Sequence, residues 1–595
     1  MESILFLGFT LNAWIVIVTV LLVFILMLCT KLPADFVFLG AMTVLMVTGT
    51  LPVNEVLAGF SSSSVVLVGA LFVVIAGLVH TGTMQWIVKY ALGTPKSLKM
   101  AILQLMVPVA VLSSFLSNTT VVAIFIKVVK IWSKKLNIAP SKLLIPLSYA
   151  SGMGGICTLI GTPPNLLISG FYTEQTGIQL SIFTPTLVGL FCLAVGILSM
   201  IAMQKMVPVR KSPEDALEET NDYTVELLVP SSAECIGKTV KEAGLDEVEG
   251  GHLIEIIRFD KEIISPVNED EYILGGDRLI FAGKVDEILK LRDSHQLVNA
   301  THHVFSLDEI DSNRKLRMAH VRFTSSLVGT RMADSDFEER NNVVLVAVAR
   351  EGERINGSPR EIVLEKGDTL LLECPPHFNA EDNTFSSNLQ FFDTDLLVKT
   401  GKKTLVSSLI LLAMILLSSL NVIPLLQASF LAAFAMIICR CCSIDQARKS
   451  IDWGLLMVFA GSISLGSAIE YTGIANRLAE GILSVCGTNP MYALACICLL
   501  GTFITEFTSN TATAAIFFPI TYNIATTLNV NPLTFCVALM IAVSSSFATP
   551  IGSPTHMLVY GPGGYRFSDF MRVGFFMNLI IWAASLFITP LLFPL

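Results

Sequence analysis

The sequence predicts a polytopic α-helical membrane protein built from two inverted-topology repeats, with re-entrant hairpins and broken helices, and a cytosolic α+β tandem domain between them. Three observations predict it. The first is composition: 53% of the 595 residues are hydrophobic and only 15% are charged, against roughly 25% charged in soluble chains. The second is segregation, because polar residues concentrate at 206–403, between an apolar block at 1–205 and another at 404–595. The third is a two-part pattern that recurs 391 to 392 residues later. Its first copy holds Ser117-Asn118-Thr119 and then Gly161-Thr162-Pro163; its second holds Ser509-Asn510-Thr511 and then Gly552-Ser553-Pro554. Each part interrupts an apolar stretch. Broken membrane helices at corresponding positions of two halves point to a transporter site near the midplane. Irregular backbone at that depth is tolerated only where it lines a cavity within protein.

In the first block the candidate spans are 13–30, 34–51, 62–82, a long element at 99–131, a broken one at 142–170, and 181–204. The second block repeats them at 404–420, 424–439, 452–471, 489–520, 533–560 and 573–593. The N-terminus has no basic n-region or small-residue cleavage site, so 13–30 reads as a true span. A crossing takes roughly 20 apolar residues. The elements at 99–131 and 489–520 are too long for one helix and carry Ser-Asn-Thr in mid-run, so they read as re-entrant hairpins. Each block then crosses five times and the two blocks are inverted. The positive-inside rule supports this. Lys31, Lys89, Lys96, Lys99, Lys127, Lys130, Lys134, Lys135, Lys142, Lys205, Arg210 and Lys211 fall inside, as do Lys399, Lys402, Lys403, Arg440, Arg448, Lys449, Arg566 and Arg572. Arg477 is the exception. The expected location is a bacterial inner membrane, with 206–403 cytoplasmic and both termini outside.

The middle section holds two soluble repeats, 222–294 and 317–380. Gly237 pairs with Gly329, Arg258 with Arg350, Ile263 with Ile355, and Gly276-Asp277-Leu279 with Gly367-Asp368-Leu370. β-Branched runs such as Val343–Val348 predict strands, and Val285–Arg292 predicts a short helix. Gly237-Lys238-Thr239 lacks the upstream glycine of a phosphate-binding loop, since Ser232 stands there, so it reads as a turn encoded by the repeat. His302-His303 reads as solvated. The net charge of −9 belongs mostly to this section and gives no reason to expect nucleic acid. The twelve cysteines show no paired zinc spacing. Cys439, Cys441 and Cys442 at a span end admit palmitoylation, but a small apolar thiol is the simpler reading.

The chemistry rests on small neutral polar residues. Aligned without gaps, Cys157 to Asn165 matches Ala548 to His556, and Ser113 matches Thr505. Sodium accepts neutral oxygen ligands: hydroxyls, amide carbonyls and unwound backbone carbonyls. An anion wants N–H donors at helix N-termini, where the dipole is positive. A broken helix offers both. Ser, Thr and Gly also serve plain helix packing in membranes, but two motifs, twice, at matched spacing favour function. Glu506 is the one carboxylate deep in an apolar element and reads either as a proton relay or as a cap on broken backbone, the cap being favoured.

The runs SNTTVVAIF and TEFTSNTATAAIFFPI, with GTPPN and ATPIGSP, resemble the divalent anion:sodium symporter family of the ion transporter superfamily. The resemblance implies that Asn118, Thr119, Thr162, Pro163, Ser509, Asn510, Thr511, Ser553 and Pro554 bind a small anionic substrate. It implies one co-transported sodium ion at Ser113, Ser117, Asn118 and Gly161, and another at Thr505, Ser509, Asn510, Ala548 and Gly552. A homodimer with an elevator-type moving domain is also implied. The soluble repeats resemble tandem TrkA-C (RCK-C) modules, which implies regulation by a small cytosolic ligand. This insert resembles the sulfate-transporting branch more than dicarboxylate transporters, so sulfate or a similar oxyanion is the expected substrate. A sodium/proton or arsenite antiporter should show paired membrane carboxylates, whereas Glu506 stands alone. A potassium channel should carry a TVGYG-like filter, and none is present. No HExxH or GxSxG suggests an enzyme.

Overall fold

The computed structural model describes residues 10–30, 32–83, 92–93, 95, 97–136, 138–210, 224–245, 251–258, 262–264, 267–283, 291–292, 294–299, 315–322, 325–335, 337, 343–350, 353–355, 362–374, 388–391, 402–420, 422–487 and 489–595. His302-His303 and most of the Val285–Arg292 run lie outside the described residues.

The first helical half comprises α1 (Leu11–Cys29), α2 (Ala34–Val47), α3 (Val53–Ser61), α4 (Ser63–His80), α5 (Leu98–Ser113), α6 (Asn118–Leu136), α7 (Ser141–Gly155), α8 (Pro163–Thr176) and α9 (Thr186–Ala202). The second comprises α10 (Lys402–Ser419), α11 (Leu425–Ile438), α12 (Ile444–Ser450), α13 (Trp453–Tyr471), α14 (Ile474–Cys486), α15 (Pro490–Thr505), α16 (Asn510–Thr527), α17 (Pro532–Ser544), α18 (Pro554–Tyr560) and α19 (Phe567–Leu592). Among the described residues, Val53–His80, Thr186–Lys205, Trp453–Tyr471 and Phe567–Leu592 are long and apolar enough to cross a bilayer.

The two long elements fold as helix pairs. The stretch expected at 99–131 turns between Ser113 and Asn118, and the one at 489–520 between Thr505 and Asn510. The stretches at 142–170 and 533–560 break at 156–162 and 545–553. The span placed at 62–82 is α4, and the short helices α3 and α12 lie outside the expected spans; Ser62, in extended backbone of φ −60° and ψ 133°, separates α3 from α4. Helix α14 was not anticipated. It is amphipathic, burying Ile474, Ala475 and Ala479 while exposing Asn476, Arg477 and Glu480. Such a helix suits an interface, which accounts for the exceptional Arg477.

The halves interlock. Helix α2 packs on α13, α4 on α11 and α9 on α19. Approaches are close where glycine allows: a Cβ at Gly59 would lie 2.2 Å from Ala460 O, and one at Gly574 1.9 Å from Phe547 O. Arg210 reaches across to Asp569, with Nε–Oδ2 at 3.2 Å and Nη2–Oδ1 at 3.0 Å.

Between the halves lie strands β1 (Thr224–Leu228), β2 (Gly251–Arg258), β3 (Glu262–Ile264), β4 (Arg278–Gly283), β5 (Val298–Asn299), β6 (Lys315–Val321), β7 (Val344–Arg350), β8 (Glu353–Arg354), β9 (Thr369–Cys374) and β10 (Leu389–Phe391). They form two five-stranded sheets, β3-β2-β4-β1-β5 and β10-β6-β9-β7-β8. Read from opposite ends, the two orders coincide, with antiparallel pairing in both. The outer strands β5 and β10 fall beyond 222–294 and 317–380, because two- and three-residue edge strands leave no alternation to read. Arg258 forks onto Asp277 at 3.1 and 3.0 Å and onto Glu271 at 3.1 Å. Arg350 does the same with Asp368 at 2.8 Å twice and with Glu365 at 2.6 Å. Gly237 and Gly329 both turn with positive φ, at 80° and 81°, as a repeated turn requires. The sheets pack on each other through Ile254 and Ile280 of the first and Val346, Ala347, Ala349 and Leu371 of the second. The second sheet also touches the helical core: a Cβ at Gly561 would lie 2.9 Å from His320 Nδ1, and one at Gly367 3.0 Å from the Tyr560 ring.

Candidate functional site

Each break is built from short-range hydrogen bonds, and the two copies share one plan. In the first, Ser113 Oγ ends α5 and donates to Asn118 Oδ1 at 2.5 Å, while Asn118 opens α6. Ser151 Oγ on α7 lies 2.8 Å from Ser113 Oγ and donates to Asn118 O at 3.2 Å. In the second, Thr505 Oγ1 ends α15 and donates to Asn510 Oδ1 at 2.7 Å and to Val543 O at 2.8 Å. Asn510 opens α16. The broken elements match as well. Thr158 Oγ1 donates to Ser114 O and accepts the Gly161 N–H. Thr549 Oγ1 donates to Glu506 O at 2.8 Å and accepts the Gly552 N–H at 2.9 Å.

The glycines are demanded by contact. A Cβ at Gly161 would lie 2.4 Å from Gly155 O and 2.9 Å from Ser113 O. One at Gly155 would lie 2.7 Å from Asn118 Nδ2. At Gly552 it would meet Ser546 Cβ at 3.0 Å and Glu506 Oε2 at 3.1 Å. Thr162 and Ser553 then cap α8 and α18 in matching extended backbone, φ −142° and ψ 138° against φ −142° and ψ 139°. Pro163 and Pro554 follow at the first helical position, where a missing N–H costs nothing.

Four helices therefore start at expected site residues: α6 at Asn118, α8 at Pro163, α16 at Asn510 and α18 at Pro554. They pack crosswise, α8 on α16 and α18 on α6. Pro163, Pro164 and Pro554 carry no N–H. Asn165 N donates to Thr162 O at 3.2 Å, Thr555 N to Ser553 Oγ at 3.4 Å, His556 N to Ser553 O at 3.0 Å and Ala512 N to Ser509 Oγ at 3.2 Å. What α8 and α18 bring toward an anion is therefore the positive end of the helix dipole and not free N–H groups. The structure groups Ser113, Asn118 and Gly161 in one network and Thr505, Asn510 and Gly552 in the other. Ser117 and Ser509 sit just before α6 and α16, and Ala548 lies in the second break. The copies differ in exposure, Thr119 being open to solvent and Thr511 buried. Neither network contains a lysine or arginine. Among the described residues, no three or more His, Cys, Asp or Glu side chains gather as a metal site.

Several participants escaped the sequence reading. His556, recognised only as the partner of Asn165, bridges the halves: its Nε2 lies 2.7 Å from Ser546 O and its Nδ1 2.6 Å from Ser148 Oγ. A carbonyl can only accept, so Nε2 carries the proton. Tyr149 donates to Phe547 O at 2.7 Å and packs in tilted and edge-on contact with Phe547, His556 and Phe570. Ser546 Oγ donates to Gly552 O at 2.9 Å. No local pattern marks the cross-half bonds of His556 and Tyr149, because Ser148 and Phe547 lie 408 and 398 positions away. Glu506 was singled out, and its carboxylate caps broken backbone. It accepts from Ala548 N and Thr549 N at 2.8 Å each and from Asn578 Nδ2 at 2.6 Å.

Comparison with known proteins agrees in kind. A family model described as citrate transporter (CitMHS) matches residues 22–483 and 461–595. An uncharacterised transporter of Synechocystis sp. is 32% identical, over 97% of this chain and 95% of its own. Sodium/sulfate cotransporter 2 of Chlamydomonas reinhardtii is 24% identical over 88% of this chain and 83% of its own. The sodium-dependent dicarboxylate transporter SdcS of Staphylococcus saprophyticus is 32% identical over 25% of this chain and 29% of its own.

Proposed function

The chain belongs to the citrate transporter family, and from that premise we propose that it is a sodium-coupled symporter importing a divalent anion, sulfate or a similar oxyanion. The observation that carries this is the duplicated neutral network: Ser113–Asn118 with Gly161, and Thr505–Asn510 with Gly552, each beside two helix N-termini. Hydroxyl and carbonyl oxygens suit sodium. The N-termini of α6, α8, α16 and α18 suit the anion through Asn118, Thr119, Thr162, Pro163, Ser509, Asn510, Thr511, Ser553 and Pro554. With no cationic side chain in either network, co-bound sodium supplies the charge that neutralises the anion, and this couples the two. The helical halves act as inverted repeats with 206–403 cytoplasmic, in a homodimer whose hairpins move as an elevator. The soluble sheets act as TrkA-C-like regulatory modules.

Sulfate is favoured because a sodium/sulfate cotransporter aligns over 88% of the chain, middle section included, whereas the dicarboxylate transporter aligns over 25%. A di- or tricarboxylate substrate is the second reading, favoured by the description of the family model. Uptake of labelled sulfate, phosphate, succinate and citrate into proteoliposomes, with and without an inward sodium gradient, decides. Sulfate should accumulate only with sodium, with a Hill coefficient for sodium above one. Sodium-independent uptake of the true substrate would overturn the symport reading, and preference for citrate would select the second substrate.

A further inference from the structure

We propose that Glu506 makes the two cation sites unequal, so that the site holding Thr505, Asn510, Ala548 and Gly552 takes its sodium ion more tightly and first; this rests on the sodium reading above.

The argument starts from one peptide unit. Glu506 is 5% exposed at the end of α15. Its Oε2 accepts the Thr549 N–H at 2.8 Å. That N–H shares its peptide with the Ala548 carbonyl, and a trans peptide directs the two groups in opposite senses. Ala548 O therefore points away from the carboxylate, and a hydrogen bond to a charged acceptor on the N–H side raises the negative charge on the oxygen. The adjacent carbonyls are engaged: Phe547 O by Tyr149 at 2.7 Å and Gly552 O by Ser546 at 2.9 Å. Among the described residues no protein donor reaches Ala548 O. The carboxylate also lies against the Gly552 backbone, 3.1 Å from where a Cβ would stand, so its own charge adds to the field felt there.

The first copy lacks each of these features. Ser114 holds the place of Glu506 and donates to Ala110 O at 2.8 Å and Gly154 O at 3.0 Å. Cys157 holds the place of Ala548, and its carbonyl accepts from Thr186 Oγ1 at 2.7 Å. At the matched position one copy thus offers the polarised Ala548 carbonyl backed by a carboxylate, while the other offers the occupied Cys157 carbonyl and no charge; the Gly552 carbonyl, engaged by Ser546, adds nothing to this difference. Ser114 donates to two carbonyls where Glu506 accepts two N–H groups, so the first copy closes its break without a carboxylate. The charge is what the second copy adds.

Groups that orient and polarise a ligand set change cation affinity by about tenfold to hundredfold. Sodium titrations on the purified full-length protein at constant ionic strength, read by direct ion binding and by thermal stabilisation, test this. Wild type should show two half-saturations about tenfold or more apart. Ser113→Ala, which damages the first site, should retain the tighter one, and Thr505→Ala should retain only the weaker. Glu506→Gln should move the tighter value up by about tenfold to hundredfold and leave the weaker unmoved. Asn578→Ala keeps the charge and both peptide contacts, so it should lower stability while leaving the tight half-saturation in place. Two equal sites in wild type, or Glu506→Gln that loses stability with an unmoved sodium midpoint, would overturn the proposal. The wild-type and Ser113→Ala titrations stand even if Glu506→Gln does not fold. Absence of any sodium effect on the wild type would instead overturn the sodium reading itself.

Discussion

Asn118 and Asn510 occupy the same chemical position in the two halves. Each opens a helix, and each receives a hydroxyl from five residues earlier on its side-chain oxygen. Replacing either with alanine removes one partner of that hydroxyl, leaving Ser113 to Ser151 Oγ and Thr505 to Val543 O, at a cost of about 0.5–1.5 kcal/mol. A polytopic fold survives such a loss, whereas the proposed shared ion and substrate site would not. Asn118→Ala and Asn510→Ala should therefore each abolish uptake while the protein stays folded and monodisperse; wild-type uptake from either would refute the assignment. These pairs were legible in the sequence because their spacing is local and repeated. The bond between Ser148 and His556 was not, since 408 positions separate the two and the repeat pairs His556 with Asn165, not with Ser148. Glu506 stood between two readings until its three N–H donors came into view.

Among the elements, the hairpins and broken helices were legible because glycine, proline and hydroxyl residues interrupt long apolar runs at matching places. Helix α3 was not, because it is only nine residues long and Asn54 and Glu55 interrupt its apolar run. Helix α14 was hidden by length, being a short amphipathic segment between two long apolar ones. The contact of the second sheet with the helical core is invisible to any pattern, and it carries a pH dependence. His320 on β6 is buried beside Thr369 Oγ1 at 2.8 Å, against the Tyr560–Gly561 turn. Burial pushes its imidazole well below the usual range, and Lys130 on α6 adds to this. An undocked imidazole takes up a proton near pH ~6.5, whereas the docked one resists it. Docking is therefore strongest above that pH and weakens as pH falls through it. Amide protection in 315–321 and 559–564, taken relative to the intrinsic exchange rate at each pH, should fall on acidification from about 7.5 to about 5.5, across the ordinary histidine range. His320→Gln should abolish the difference; equal protection at both pH values in the wild type would refute the account.

For the whole molecule, crosswise packing means that neither half completes its own site region. Helix α8 rests on α16 and α18 on α6, so a displacement of one hairpin reaches the other half's helix N-terminus directly. The soluble sheets stand at one end of this arrangement, where Tyr560–Gly561 closes α18. They enter the chain between the halves and supply none of the site residues. Replacing 222–390 with a short flexible linker should leave sodium-coupled uptake intact and change its rate or its response to cytosol. A correctly inserted deletion protein that binds no substrate would show instead that the sheets belong to the core machinery.

The bond from Tyr149 to Phe547 also sets a clock. The two residues are 398 positions apart, and ribosomes add about 5–20 residues per second, so Tyr149 waits roughly 20–80 s for its partner. Through that interval Ser148, the Ile145 N–H and Arg210 wait as well, for His556, Tyr565 and Asp569. Unpaired polar groups in an apolar surrounding are costly. The first half must therefore be sheltered, by lipid headgroups, water or a chaperone, until the second emerges. A translational pause within 206–403 lengthens that exposure without altering one contact of the finished protein.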